Sequence, residues 1–107
     1  MTAVGDQFFA EVGALSESAQ TMIIPDGEVW EIQKFVGAAA YDEGTKACLV
    51  WDYGGAEVLL YSTHGDGSFS GDDQLTGDGV KKVAICLVND TASAQTLGGQ
   101  FSGLVVS

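Results

Sequence analysis

EVWEIQKFV, residues 28–36, decides the fold, because its apolar residues recur with the period of a strand. Trp30, Ile32 and Val36 fall on one face of an extended chain and Glu31 and Gln33 on the other, the pattern of a half-buried β-strand. VKKVAICLV (80–88) likewise sets Val83, Ile85 and Leu87 against Lys82, Ala84 and Cys86. In QTLGGQFSGLVV (95–106), Leu97, Phe101 and Val105 alternate with Gln100 and Ser102. DQFFAEVG (6–13), AQTMII (19–24), KACLVWDY (46–53) and AEVLLYST (56–63) complete the set, with a weak eighth strand near 68–69 or 74–76. No stretch carries a helical stripe, and ALSESAQ (14–20) offers one turn at most.

The punctuation agrees. Pro25-Asp26-Gly27 is a turn with a mechanism, since proline presets φ and glycine accepts positive φ. Asp42-Glu43-Gly44-Thr45 breaks the next pair of strands, and Gly54-Gly55 reads as a tight hairpin between 46–53 and 56–63. Asn89-Asp90-Thr91 starts the last loop; it matches a glycosylation sequon but reads as a turn. Seven or eight short antiparallel strands in 107 residues make one all-β sandwich domain, with a jelly roll as the expected topology. Residues 1–9, with Phe8 and Phe9 adjacent, stand out as a candidate N-terminal arm.

Composition removes several function classes. With 46% hydrophobic residues and a mean hydropathy of +0.17, the chain can bury a core. No apolar run approaches the roughly 18 residues of a membrane helix. The N-terminus lacks a basic start and an apolar stretch, so folding in a cytoplasm is expected. Fifteen acids face four lysines (Lys34, Lys46, Lys81, Lys82) with no arginine, a net charge of −11. Such a chain repels phosphate backbones and anionic lipid, so neither nucleic acid nor membrane is an expected partner. A protein with a basic patch suits it better.

HGDGSFSGDDQLTGDG (64–79) holds four aspartates, five glycines and the single histidine, and it looks chemical. Counted as a calcium loop from Asp66, Ser68, Ser70 and Gly71 fall where oxygen ligands and a glycine belong. Gly77 then stands where the closing bidentate glutamate is needed, so no metal site is assigned. Asp72 and Asp73 are adjacent, which sends strand side chains to opposite faces, and His64 has no placed nucleophile. Gly67-Ser68-Phe69-Ser70-Gly71 puts the serine out of place for a nucleophile elbow. No catalytic residue, metal or cofactor is therefore expected, and the stretch reads as a wet acidic loop. Cys48 and Cys86 sit in the apolar runs ACLVW and AICLV and are expected as reduced core thiols, although a disulfide is open if their strands face each other.

Two strands break the in/out alternation. ACLVW (47–51) and VLLY (58–61) are apolar on both faces, as a central strand or a face covered by another subunit would be. With few lysines to guard sheet edges, a homo-oligomer is expected. Trp51 and Tyr53, two residues apart, are assigned to one face and, with Phe8 and Phe9, are the interface candidates. Together with Trp30, Tyr41 and Tyr61 they are also the residues from which an aromatic sugar platform could be built.

MIIPDGEVWEIQKFVGAAA (22–40) and GDGVKKVAICLVNDTASAQTLGGQFSGLVV (77–106) resemble small virion proteins of tailed bacteriophages. The shared features are a proline–glycine turn into a strand opening with tryptophan, a DG-x-K turn into I-x-L-x-N, and a closing TLGG-x-F-x-G. The resemblance implies a jelly roll on the capsid exterior: a cement, or decoration, protein, non-enzymatic and typically trimeric, bound to the major capsid protein. Its place of synthesis would then be the host cytoplasm. The sequence departs from that picture in lacking a long basic arm. The alternatives are a carbohydrate- or receptor-binding module, for which Trp51 and Tyr53 must be coplanar, and a head–tail or tail component.

Overall fold

The computed structural model describes residues 2–39 and 42–107. Eight strands follow one another: β1 (Thr2–Val12), β2 (Ser16–Ile23), β3 (Val29–Ala38), β4 (Thr45–Trp51), β5 (Val58–Thr63), β6 (Gly67–Thr76), β7 (Lys82–Asn89) and β8 (Gln95–Val105). They form two four-stranded antiparallel sheets, ordered β1-β8-β3-β6 and β2-β7-β4-β5. Every neighbour in the second sheet is reached by crossing from the first, except β4 to β5, and this is the strand order of a jelly roll.

The core lies between the sheets. Val12, Ile24, Trp30, Ile32, Phe35, Leu49, Leu75, Val83, Ile85, Leu87, Leu97 and Phe101 are buried there. All but Val12, Ile24, Phe35, Leu49 and Leu75 lie on faces that simple alternation assigns to the interior. Phe35 enters by another route. A bulge between Ile32 and Lys34 shifts the register of β3 against both neighbours. The extra residue flips the phase, so Phe35 is fully buried while Val36, expected beside Trp30 and Ile32, is pushed outward and only half-buried.

Two further expectations need correction. Thr2–Phe9 is not a free arm: it pairs residue for residue with β8, from Thr2↔Val105 to Phe9↔Gly98. Phe8 packs against the core, and Phe9 lies outward across Gly98, whose missing side chain leaves room for the ring. The supposed acidic loop is largely strand. Residues Gly67–Thr76 pair with β3 as an edge strand, with Leu75 buried and the rest mostly exposed. A polar edge strand has too little apolar signal to announce itself.

The turns behave as their residues require. Glu28 N–H donates to the Pro25 carbonyl oxygen (3.1 Å) over Gly27, which has φ +85°. Asp78 Oδ1 accepts from the backbone N–H groups of Val80 and Lys81 (2.9 and 2.8 Å), and those bonds hold its carboxyl below the usual range.

Candidate functional site

The outward faces of the two sheets differ in chemistry. On β1-β8-β3-β6, register places Gln7 beside Gln100, and Lys34 beside Ser70 and Ser102, a largely wet surface on which Phe9, half-buried Val36 and half-buried Leu104 are the apolar members. On β2-β7-β4-β5 the outward series is Ala19, Ile23, Ala84, Cys86, Val88, Cys48, Val50 and Leu59, interspersed at the margins with Glu17, Thr21, Lys46, Ser62 and Lys82. Ile23, Val58 and Leu59 are each half or more exposed along this sheet. The double-faced run ACLVW is thereby explained. Ala47 and Leu49 belong to the core and Trp51 packs against it, while Cys48 and Val50 leave the sheet on the other side.

A depression of about 360 Å³ opens on this outward face. Cys48, Val50, Leu59, Cys86 and Val88 supply its apolar lining, and Glu17, Lys46, Tyr53 and Glu57 its polar part. The β4–β5 turn shapes one wall. Asp52 adopts a left-handed φ of 57°, Asp52 Oδ2 accepts from Ala56 N–H (3.1 Å), and Glu57 Oε2 accepts from Gly54 N–H (2.8 Å). Burial, then the charges of Cys86, Glu17 and Glu57, pushes the Tyr53 hydroxyl up from its ordinary value. Two carboxylates thus face one ammonium around an apolar floor, a setting that favours a partly apolar, cationic group.

The interface candidates are therefore dispersed. Phe8 and Trp51 pack against the core, Phe9 lies on the outward face of the first sheet, and Tyr53 lines the depression on the second. The left-handed Asp52 breaks the alternation that assigned Trp51 and Tyr53 to one face, so they do not form a shared platform. Trp30 is buried with its indole N–H donated to Glu28 Oε1 (2.9 Å). Tyr61 is stacked between Phe35 and Phe69, with centroids 6.1 and 5.7 Å away, and donates its hydroxyl to Asp73 Oδ2 (3.0 Å). Tyr41 lies outside the described residues.

The chemical-looking stretch is occupied with structure. His64 Nδ1 is 2.8 Å from the Thr45 carbonyl oxygen, so that nitrogen carries the proton. Asp66 Oδ1 accepts from Ala39 N–H (3.1 Å), Asp73 holds Tyr61, and Asp78 caps its turn. Among the described residues no three His, Cys, Asp or Glu side chains converge as a metal-ligand set. Among them, too, no helix is long and apolar enough to cross a membrane.

Sequence reasoning passed over Leu59 and the carboxylates Glu17 and Glu57. Leu59 sits beyond a bulge in β5, where the register slips between Leu49/Tyr61 and Val50/Leu59, so alternation misleads there. Only the double-faced apolar runs pointed to this region.

The fold has solved counterparts. The crystal structure of the Yersinia pseudotuberculosis-derived mitogen is similar with a TM-score of 0.66 over 99% of this chain and 90% of that one, at 8% identity. The Drosophila NLP-core, solved for insight into pentamer formation and histone binding, gives a TM-score of 0.49 over 95% of this chain and 99% of that one, at 9% identity. No family model and no curated protein matches the chain. The class defined is an all-β, two-sheet jelly roll, and the likeness extends to the fold alone.

Proposed function

We propose that this chain is a non-enzymatic structural protein of a tailed-bacteriophage virion, a cement protein that sits on the capsid exterior and binds the major capsid protein. The carrying observation is the unequal chemistry of the two outward faces: the centre of the β2-β7-β4-β5 face is apolar around the depression with polar residues at its margin, and the opposite face is the more polar of the two. Monomeric domains rarely leave a continuous apolar sheet face to water. Glu17 and Glu57 beside that face, and a net charge of −11, fit a partner with a basic surface. The resemblance of 22–40 and 77–106 to phage-type turn and strand patterns supports the major capsid protein as that partner.

The mechanism is mass action. A protein that binds the assembled lattice and not its separated subunits stabilises the lattice by its binding free energy. The anchor residues are Leu59 and Tyr53 rather than Trp51, which packs against the core. A homotrimer would present three such faces to neighbouring coat subunits. Electron cryomicroscopy of coat particles assembled with the chain tests the reading. Density in many copies on the outer surface, with β2-β7-β4-β5 turned to the coat, supports it. Density confined to one vertex or to the tail overturns it in favour of a head–tail component.

A further inference from the structure

Cys48 on β4 and Cys86 on β7 are direct cross-strand partners. The Asp90 N–H to Gly44 carbonyl bond (2.7 Å) makes 44/90 a hydrogen-bonded pair, and steps of two along the ladder make 48/86 another. Residues opposed at such positions have Cα atoms about 5.5 Å apart, inside the roughly 4.4–6.8 Å that disulfides bridge. Both side chains leave the sheet on the outward face and line the same depression, Cys86 half-buried and Cys48 buried with its thiol donated to Ser62 Oγ at 3.5 Å, so that Cys48 reaches Cys86 by giving up that bond. Both are free thiols in the structure. Cys48 is buried, as the sequence suggested, and Cys86 is half-buried, both on the outward side of their sheet rather than between the two sheets.

We propose that Cys48 and Cys86 form a dithiol that a peroxide closes to an intramolecular disulfide across β4 and β7. The Cys48 thiolate attacks one peroxide oxygen, the O–O bond breaks, and the departing hydroxide takes up a proton to leave as water. Cys48 is then a sulfenic acid. The Cys86 sulfur attacks the Cys48 sulfur, the S–O bond breaks, and the departing hydroxide combines with the Cys86 proton as a second water. Two thiols lose two electrons in total, and one peroxide is reduced to two waters. Burial, then the nearby Cys48, Glu17 and Glu57, pushes the Cys86 thiol up to about 12, which disfavours Cys86 as the attacking thiolate. The bridge would tie the two central strands of the apolar sheet and seal the floor of the depression. It needs only the chain and the oxidant, so it stands whether or not the face docks on a coat.

The test is hydrogen peroxide added to the folded, full-length chain at about pH 8.5, read by intact mass and peptide mapping. The expected product has lost the mass of two hydrogens, carries a 48–86 cross-linked peptide, stays a single chain on a non-reducing gel, melts higher, and reverts with dithiothreitol. In Cys86→Ser, the Cys48 sulfur should gain oxygen instead. Phenylarsine oxide gives an independent reading of proximity: the parent should bind one arsenical through both thiols, and Cys48→Ser and Cys86→Ser should not retain it. A parent that gains oxygen without losing hydrogens, cross-links between chains, or holds the arsenical no better than the single variants overturns the proposal.

Discussion

Asn89 donates its side-chain amide to the Val12 carbonyl oxygen at 2.9 Å, joining the end of β7 to the end of β1 across 77 positions of sequence. The same amide reaches the carbonyl oxygens of Gly13 (3.2 Å) and Ser93 (2.9 Å), while Asn89 Oδ1 accepts from the Thr91 N–H and hydroxyl. Asn89 is fully buried and its bond to the Val12 carbonyl is buried with it, while its bonds to Gly13, Thr91 and Ser93 lie nearer the surface. Asn89→Ala should cost about 1–3 kcal/mol, since it strands the buried Val12 acceptor and removes the asparagine's other bonds to the 89–93 loop and Gly13. Asn89→Asp should cost at least as much, because a carboxylate then faces carbonyl oxygens. Urea unfolding measures both, and a loss below about 1 kcal/mol for either would count against the staple.

Gly103 is a second point of strict demand. A Cβ there would run into the Glu31 carbonyl oxygen, a backbone atom just before the β3 bulge that cannot swing aside. Gly103→Ala should therefore destabilise by about 1–3 kcal/mol despite adding a single methyl. At Gly98 the obstacle is the Phe9 ring, a side chain half in solvent, so Gly98→Ala should displace Phe9 at smaller cost. Thermal melts of the two variants should rank them in that order.

The outward face can be tested without touching the core. Leu59 is 60% exposed, so Leu59→Lys should alter stability by no more than about 0.5 kcal/mol. It should nevertheless weaken coat binding by tenfold or more, by placing a cation where a basic partner docks. Phe9→Ala, on the opposite sheet, should leave binding unchanged. Equal losses from the two variants would mean that the docking face has been misassigned.

Charge makes a kinetic prediction. Association of a −11 chain with a basic coat surface should slow as salt rises from about 50 to 500 mM, with dissociation changing less. Stopped-flow or surface-based association rates decide this. A salt-independent rate argues for a purely apolar contact.

The Cys86 thiol gives a pH dependence whose sign is fixed. Its folded value of about 12 lies above the ordinary value of 9.0, chiefly because of burial. Between those values the unfolded chain releases a proton that the folded chain keeps, so the unfolded state binds fewer protons and stability falls as pH rises. Below about pH 9 that contribution is intact. Cys86→Ala should lose less stability than the parent between about pH 8 and pH 10.5, as compared by urea midpoints. Matching slopes would contradict the burial of the thiol.

How much of this was legible in the sequence varies by strand. Strands β7 and β8 show alternation plainly, because one face of each meets the core and the other meets water or another surface. Strand β6 did not, since an edge strand of Asp, Ser and Gly residues is held by its ladder to β3 and by Leu75 rather than by an apolar face. The apolar outward face of β2-β7-β4-β5 was visible only as excess hydrophobicity in ACLVW and VLLY. Its true members depended on the β5 bulge that turns Leu59 outward and on the left-handed Asp52 that separates Trp51 from Tyr53. Both are single-residue shifts in phase, and a periodicity of two carries no warning of them.

The most direct measurement heats coat particles assembled with and without the chain and follows their dissociation. Particles carrying the protein should come apart at a higher temperature, and the Leu59→Lys chain should restore little of that gain. Identical dissociation temperatures, with the chain demonstrably bound, would contradict its role as a cement.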